Sequence, residues 1–327
     1  MAADVPDDCA RLLKFQHGVL ARWQAPAAGL SPAAIDARLR RGRWQSLYHG
    51  VYAAYTGVPP RESLLWAGLL RAGPGAVLSH HTAAELDGLT DRPSPVTHVT
   101  IGSERHVRLC GHDERGPTPR LVVHRTERLD AIRHPARTPP RTRIEETVLD
   151  LVQLSASFDD AFSWLSRGCG RRLVTVQLLR EALVLRSRTR WRDATIGALA
   201  LIAEGVHSNL EYRYVRDVER AHGLPEAKRQ FRMAGGLSAT GSQYLDNLYQ
   251  RFGVAAELDG RAYHLVEDRW RDIRKDNASA ASGIVTLRFS WTDVTCRACE
   301  VAAEVGAALR QRGWDGQPCR CGPACTA

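Results

Sequence analysis

The chain has 327 residues, 44% apolar and 25% charged, a balance that excludes a disordered polymer and leaves room for two or three compact units. Its net charge of +9 and pI near 9.4 point to an acidic partner, nucleic acid being the commonest. Residues 1–8 hold neither a basic cluster nor an apolar run, and the longest apolar stretch, around 196–203, is far short of the ~20 residues that span a bilayer, so a cytoplasmic chain with no membrane partner is expected.

In chain order, residues 19–27 and 32–41 read as two short helices separated by Ala28-Gly29-Leu30, with Ser31 as N-cap and Pro32 at the first helical position. Ala34, Ile35 and Leu39 fall on the core side of the second helix, which leaves Arg38, Arg40 and Arg41 largely outward, and Gly42 ends it. The aromatic and β-branched run that follows, starting at Arg43 and broken at His49-Gly50, reads as two strands where a wing would sit. Asp36 is the lone acid between Arg11 and Arg43. That pattern suits a major-groove reader with Arg38, Arg40, Arg41 and Arg43 as DNA contacts; a solvated helical pair with incidental charge is the alternative.

Pro59-Pro60 marks a break before a helical pattern over 62–72. His80 and His81 are adjacent and cannot share a helix face, so core or capping roles are expected of them. Alternation at 98–101 and 121–124 predicts strands around a Gly/Pro-rich loop near 111–119. Helices are expected at 143–154, 158–168 and 176–188, the last leading to a loop.

In the last third, Ser208-Asn209-Leu210-Glu211 opens a helix running to about Ala221; the S-x-x-E spacing is also a capping box, and either reading uses Glu211. Strands are expected at 228–233, 243–249 and 254–259, and near 284–289, with a turn at Gly235-Gly236. Asp246 lies on one of these strands, and Glu257 and Asp259 project to one side of the next. Converging carboxylates resist joint ionisation unless a cation neutralises them, so a magnesium ion among Asp246, Glu257 and Asp259 is the expected cofactor. His264 follows as a candidate acid or base, and Asp272 and Asp276 share a face of a later helix. Cys296, Cys299, Cys319, Cys321 and Cys325 gather near the end, but the C-x-C pair lacks the usual zinc-ligand spacer. A loose tail of reduced or adventitiously paired cysteines, rather than a zinc site, is expected.

The run Glu257-Leu258-Asp259-Gly260-Arg261-Ala262-Tyr263-His264, with 272–277 and 283–289, resembles the DUF559 family, which is related to the very-short-patch-repair endonucleases in the PD-(D/E)XK superfamily. The resemblance implies a sheet flanked by helices, with Asp246 as central metal ligand, Glu257 as second acid and Glu211 as the helical glutamate. It matches Asp259, His264 and Asp272 to further polar positions, Asp259 standing where the superfamily usually has lysine. Gly29-Leu30-Ser31, Arg40-Arg41-Gly42-Arg43-Trp44 and Gly50-Val51-Tyr52, with weaker support from 79–84, resemble the AbiEi family of type IV antitoxins and autorepressors.

Together these readings give a multi-domain α/β chain: a winged helix-turn-helix over 1–58, a mixed α/β AbiEi-like connector over 59–195, a restriction-endonuclease-like α/β/α domain over 196–312 and a cysteine-containing tail over 313–327. The expected function is a DNA-binding regulator or antitoxin with a nuclease-like domain and, by the second resemblance, a cognate toxin as partner. The alternative is a magnesium-dependent DNA endonuclease targeted by its winged helix. A protein-binding scaffold with a solvated acidic strand face is a third reading.

Overall fold

A computed structural model describes residues 5–107, 119–233, 244–259, 277 and 279–327. The expected turn at Gly235-Gly236, His264, Asp272 and most of the loop near 111–119 lie outside the described residues. Among the described residues the chain is mixed α/β, with three small sheets divided between two compact units: residues 1–155 with 171–190, and residues 156–170 with 191–327. No helix of the described residues is long and apolar enough to cross a membrane.

Unit 1 starts with α1 (Asp7–Phe15), β1 (Val19–Ala21), α2 (Pro32–Arg40), β2 (Gln45–Tyr48) and β3 (Val51–Ala53), the strands pairing antiparallel in the order β1-β3-β2. The helix expected at 19–27 does not form. Val19, Leu20 and Ala21 are all buried and pair with Ala53, Tyr52 and Val51 as a strand, and tight turns occupy the stretch up to Gly29. Pro26 has no amide to donate to a continued helix, and Gly29 at φ +74° reverses the chain. α2 forms as its cap predicts, the Ser31 hydroxyl accepting from the Ala34 amide at 3.2 Å, with Ile35 wholly buried beneath it.

The next helix, α3 (Arg61–Ala72), is buried over most of its circumference, because it packs between this sheet and a second one. That second sheet has the order β4-β5-β6, from β4 (Val77–Leu78), β5 (Thr97–Gly102) and β6 (Leu121–Thr126), with β5 and β6 parallel. Gly68 allows the approach: a Cβ there would stand 2.7 Å from Thr97 Cγ2 on β5. Val19, Val51 and Ala53 of the first sheet, Leu65 and Leu69 of α3, and Val99 and Ile101 of β5 form one hydrophobic cluster. The helices α4 (His80–Leu86), α5 (Leu129–Ile132) and α6 (Ile144–Leu154) follow, and α8 (Val176–Val184) ends four residues earlier than the pattern predicts.

Unit 2 contains α7 (Phe158–Gly170), α9 (Arg192–Ala203), α10 (Asn209–Arg213), which continues as a π-helical stretch over Tyr214–Arg220, and a four-stranded sheet in the order β10-β9-β8-β7. The sequence reading placed a loop where α9 forms. β7 (Lys228–Arg232), β8 (Tyr244–Tyr249) and β9 (Val254–Asp259) run antiparallel, and β10 (Val285–Ser290) is parallel to β9. A Ser290/Asp293 capping box then starts the helix Trp291–Cys296, and the helix Ala298–Gln311 follows. Val301, Val305 and Leu309, one helical turn apart, lock that last helix onto a core shared with Tyr214, Val218, Val254 and Phe289. Each such side chain contributes about 1.5–3 kcal/mol of burial.

Candidate functional site

The antiparallel register of β8 and β9 ends with Asn247 paired to Ala256, and Asp246 and Glu257 are the next residues on the two strands. Side chains alternate along each strand, so from the Asn247–Ala256 pair the two neighbouring carboxylates fall on the other side of the sheet from Asn247. Glu257 is buried, and its Oε1 accepts from the Asp246 amide at 3.3 Å. Asp246 Oδ2 accepts from the Leu258 amide at 2.9 Å, and its Oδ1 from Gln230 Nε2 at 3.3 Å.

Glu211 heads α10 and keeps its capping duty, accepting from the Ser208 hydroxyl at 3.0 Å and the His207 amide at 3.0 Å. Burial pushes its carboxyl up from the ordinary value against those hydrogen bonds, and the nearby charge of Asp246 pushes the same way. Glu211, Asp246 and Glu257 therefore belong to one neighbourhood. Asp259 is turned to β10, where its Oδ2 lies 3.5 Å from Arg288 Nη1.

A buried polar network fixes the helix over this sheet. Glu219 on the π-helical stretch is ion-paired with Arg229 of β7, whose Nη1 donates to Asn247 Oδ1 at 2.6 Å. The Tyr214 and Tyr249 hydroxyls meet at 2.9 Å beside the same glutamate. Low exposure of both ions means that each depends on the other for its solvation.

In unit 1, Arg40, Arg41 and Arg43 are exposed and Arg38 is half-buried, its guanidinium 5.8 Å from the centre of the Trp44 ring and its Nη1 donating to the Ala34 carbonyl at 3.0 Å. Asp36, the one acid of α2, is paired with Arg22 at 2.5 Å. The charge that α2 presents to solvent is therefore basic.

Two clusters escaped the sequence reading. In the first, strand pairing places His124 of β6 beside Thr100, next to His98 on β5, and the His80 ring stacks on His124 with centroids 3.6 Å apart. His98 Nδ1 and His124 Nε2 lie 3.0 Å apart. Burial lowers His80 to about 2 and His98 and His124 to about 4, so the stack is neutral at pH 7. It borders a cavity of about 320 Å³ lined also by Arg128, Glu146, Asp150 and Arg186. Arg186 reaches Glu146 at 2.5 Å and Asp150 at 2.8 Å, yet burial still raises Asp150 to about 6. His80 and His81 being neighbours was a visible signal; their meeting His98 and His124 was not.

In the second cluster, His222, Cys299, Cys321 and Cys325 bring one potential ligand atom each within 4.8 Å of one another. Cys299 and Cys321 Sγ are 3.6 Å apart, and Cys325 Sγ is 3.5 Å from His222 Nε2. Backbone hydrogen bonds at Ala327 and Cys321 lower Cys325 to about 6, while hydrogen bonding with Cys299 and Cys325 pushes Cys321 up to about 11. The tail is thus tied to His222 and Cys299 at these residues, although none of residues 312–327 is buried.

No protein-family model matches the chain, and no curated protein matches it.

Proposed function

We propose that the chain is a DNA-binding protein that docks α2 in the major groove, a regulator or antitoxin of the AbiEi-like kind with a nuclease-like second unit. The observation that carries this reading is the order α1-β1-α2-β2-β3 with sheet order β1-β3-β2, in which a two-residue turn at His49-Gly50 joins β2 to β3 as a wing beside a basic helix. Arg40, Arg41 and Arg43 supply phosphate or base contacts, with Arg38 held against Trp44 between helix and wing. The antitoxin assignment and a cognate toxin rest on the motif resemblance over 10–150. Mobility shifts on the DNA upstream of its own gene test the reading: a shift that weakens steeply with salt supports it, and no shift at low salt overturns it.

A second reading, a magnesium-dependent DNA endonuclease, is favoured by Asp246 and Glu257, which lie on adjacent strands and are linked through backbone amides, on an antiparallel β7-β8-β9 meander with β10 parallel to β9, an arrangement in keeping with a restriction-endonuclease-like domain. Two hard carboxylates with Glu211 nearby are a donor set that fits Mg²⁺. Asp246 and Glu257 would hold the ion, which supplies Lewis-acid polarisation of a phosphodiester and activation of water. Asp259, paired with Arg288, offers no ammonium where the superfamily usually has one. Cleavage of supercoiled DNA with magnesium, beside an Asp246→Ala control, separates the readings; equal cleavage by both proteins removes this site from consideration.

A further inference from the structure

Past Gln311 the chain has little to hold it: Gly313, Gly316 and Gly322 raise its conformational entropy, Trp314 is its one large apolar side chain, and ordering each residue costs roughly 1–2 kcal/mol. It nevertheless takes a defined course. Pro318 crosses the helix Ala298–Gln311 at Gly306, where an added Cβ would come within 2.5 Å of its ring, and the Cys319 amide donates to the His222 carbonyl at 2.8 Å. Ala327 reaches the apolar core of the unit.

We propose that His222, Cys299, Cys321 and Cys325 bind one zinc ion, which fastens this tail to the end of the helical segment that begins at Asn209. Two of the spacings are those of tetrahedral coordination: Zn–S bonds of about 2.3 Å and Zn–N bonds of about 2.0–2.1 Å put neighbouring sulfurs about 3.8 Å apart and a sulfur and a nitrogen about 3.5 Å apart, against 3.6 Å for Cys299 and Cys321 and 3.5 Å for Cys325 and His222 Nε2, with all four atoms within 4.8 Å of one another. His222 is wholly buried, and its Nδ1 donates to the Val218 carbonyl at 3.0 Å, which leaves the Nε2 lone pair directed at the cysteines. A carbonyl partner of this kind sets the tautomer and ring angle of a ligating histidine. Three thiolates and an imidazole select zinc over magnesium or calcium. Four protein ligands also close the coordination shell, so the ion is structural.

Cys296 and Cys319 stay outside the set. Cys296 Sγ lies 3.6 Å from Thr295 Oγ1, and Cys319 Sγ points to the Ala221 carbonyl at 3.7 Å. Each of the two close cysteine pairs therefore contributes a single ligand, with Cys325 and the distant His222 completing the tetrahedron. Binding forms three S–Zn bonds and one N–Zn bond and releases the thiol protons to solvent.

The test is metal analysis of the reduced full-length protein by plasma mass spectrometry. We expect about one zinc per chain, lost in Cys321→Ser and Cys325→Ser and kept in Cys296→Ser and Cys319→Ser. Cobalt reconstitution should give the intense ligand-field bands of a tetrahedral thiolate site, and chelation should speed tryptic cleavage at Arg320. His222→Ala risks unfolding because the ring is buried, so the Cys321 and Cys325 variants decide. Metal-free wild-type protein that also fails to take up cobalt, zinc content unchanged in those two variants, or a Cys299–Cys321 disulfide in place of metal would each overturn the site.

Discussion

Asp246 and Glu257 brace each other's strands: the Asp246 amide donates to Glu257 Oε1, and the amide following Glu257 donates to Asp246 Oδ2. The two carboxylates are therefore held together by backbone geometry whether or not a cation is present, at the expense of mutual repulsion. Asp246→Asn removes that repulsion and keeps an oxygen for the Leu258 amide. In metal-free buffer its thermal midpoint should equal or exceed that of the wild type. Magnesium should stabilise the wild type, by about 2.7 kcal/mol at a hundred times Kd, and leave the variant unmoved. Equal magnesium shifts in both proteins would put the ion elsewhere.

Arg40 and Arg41 are exposed at the end of α2. Replacing both with alanine should weaken DNA binding at low salt and lower the slope of log K against log salt by about 2, one for each arginine withdrawn from a phosphate. The slope is read from mobility shifts or anisotropy titrations over a salt series. An unchanged slope would mean that DNA meets another surface.

Glu219 and Arg229 are each about 5% exposed or less. Glu219→Ala leaves a buried guanidinium without its carboxylate and should cost about 3–5 kcal/mol in urea unfolding. The double variant Glu219→Leu/Arg229→Met should recover most of that loss. A single variant that costs under about 1 kcal/mol, the range of a surface pair, would show that solvent reaches the site.

The histidine stack makes unit 1 sensitive to acid. His98 and His124 titrate near 4 and His80 near 2 in the folded chain, against 6.5 ordinarily, so below pH 6.5 the unfolded chain binds protons at these rings before the folded chain does. Their contribution to stability falls as pH drops from 6.5 through about 4. Asp150, raised from 3.8 to about 6, works in the opposite sense, since the folded chain takes up its proton first. Within unit 1 the three stacked rings, with His81 lowered by burial in the same sense, outweigh one carboxyl, so the melting midpoint of that unit should be lower at pH 5 than at pH 7, and His124→Gln should flatten the difference. A midpoint that rises on acidification would contradict the burial of the stack.

The legible parts of the chain were those in which local structure and the candidate sites use the same residues. The apolar/acidic alternation of 256–259 falls within β9 and puts Glu257 and Asp259 at alternate positions of one strand; Ser31-Pro32 marks both the cap of α2 and the start of its arginine face. Residues 19–21 misled because three successive apolar residues carry no period of their own, and only pairing with β3 makes them a strand. The histidine stack could not be read in advance, since the β5 and β6 register, not spacing, brings residues 98 and 124 together. His222 lies about a hundred residues from Cys321 and Cys325, and the close cysteine pairs drew attention to Cys296 and Cys319, which the cluster does not use.

The cluster that joins Val19, Val51 and Ala53 to Leu65, Leu69, Val99 and Ile101 makes the first sheet and the second a single packed solid. Ile35 and Leu39 of α2 pack with Leu20 and Tyr52 of that first sheet, so the arginine face of α2 is mounted on a packed base instead of a tether. A ligand docking there meets a surface already oriented, so little of its binding energy is consumed in arresting the helix, and discrimination between ligands depends on the shape and charge of the arginine face.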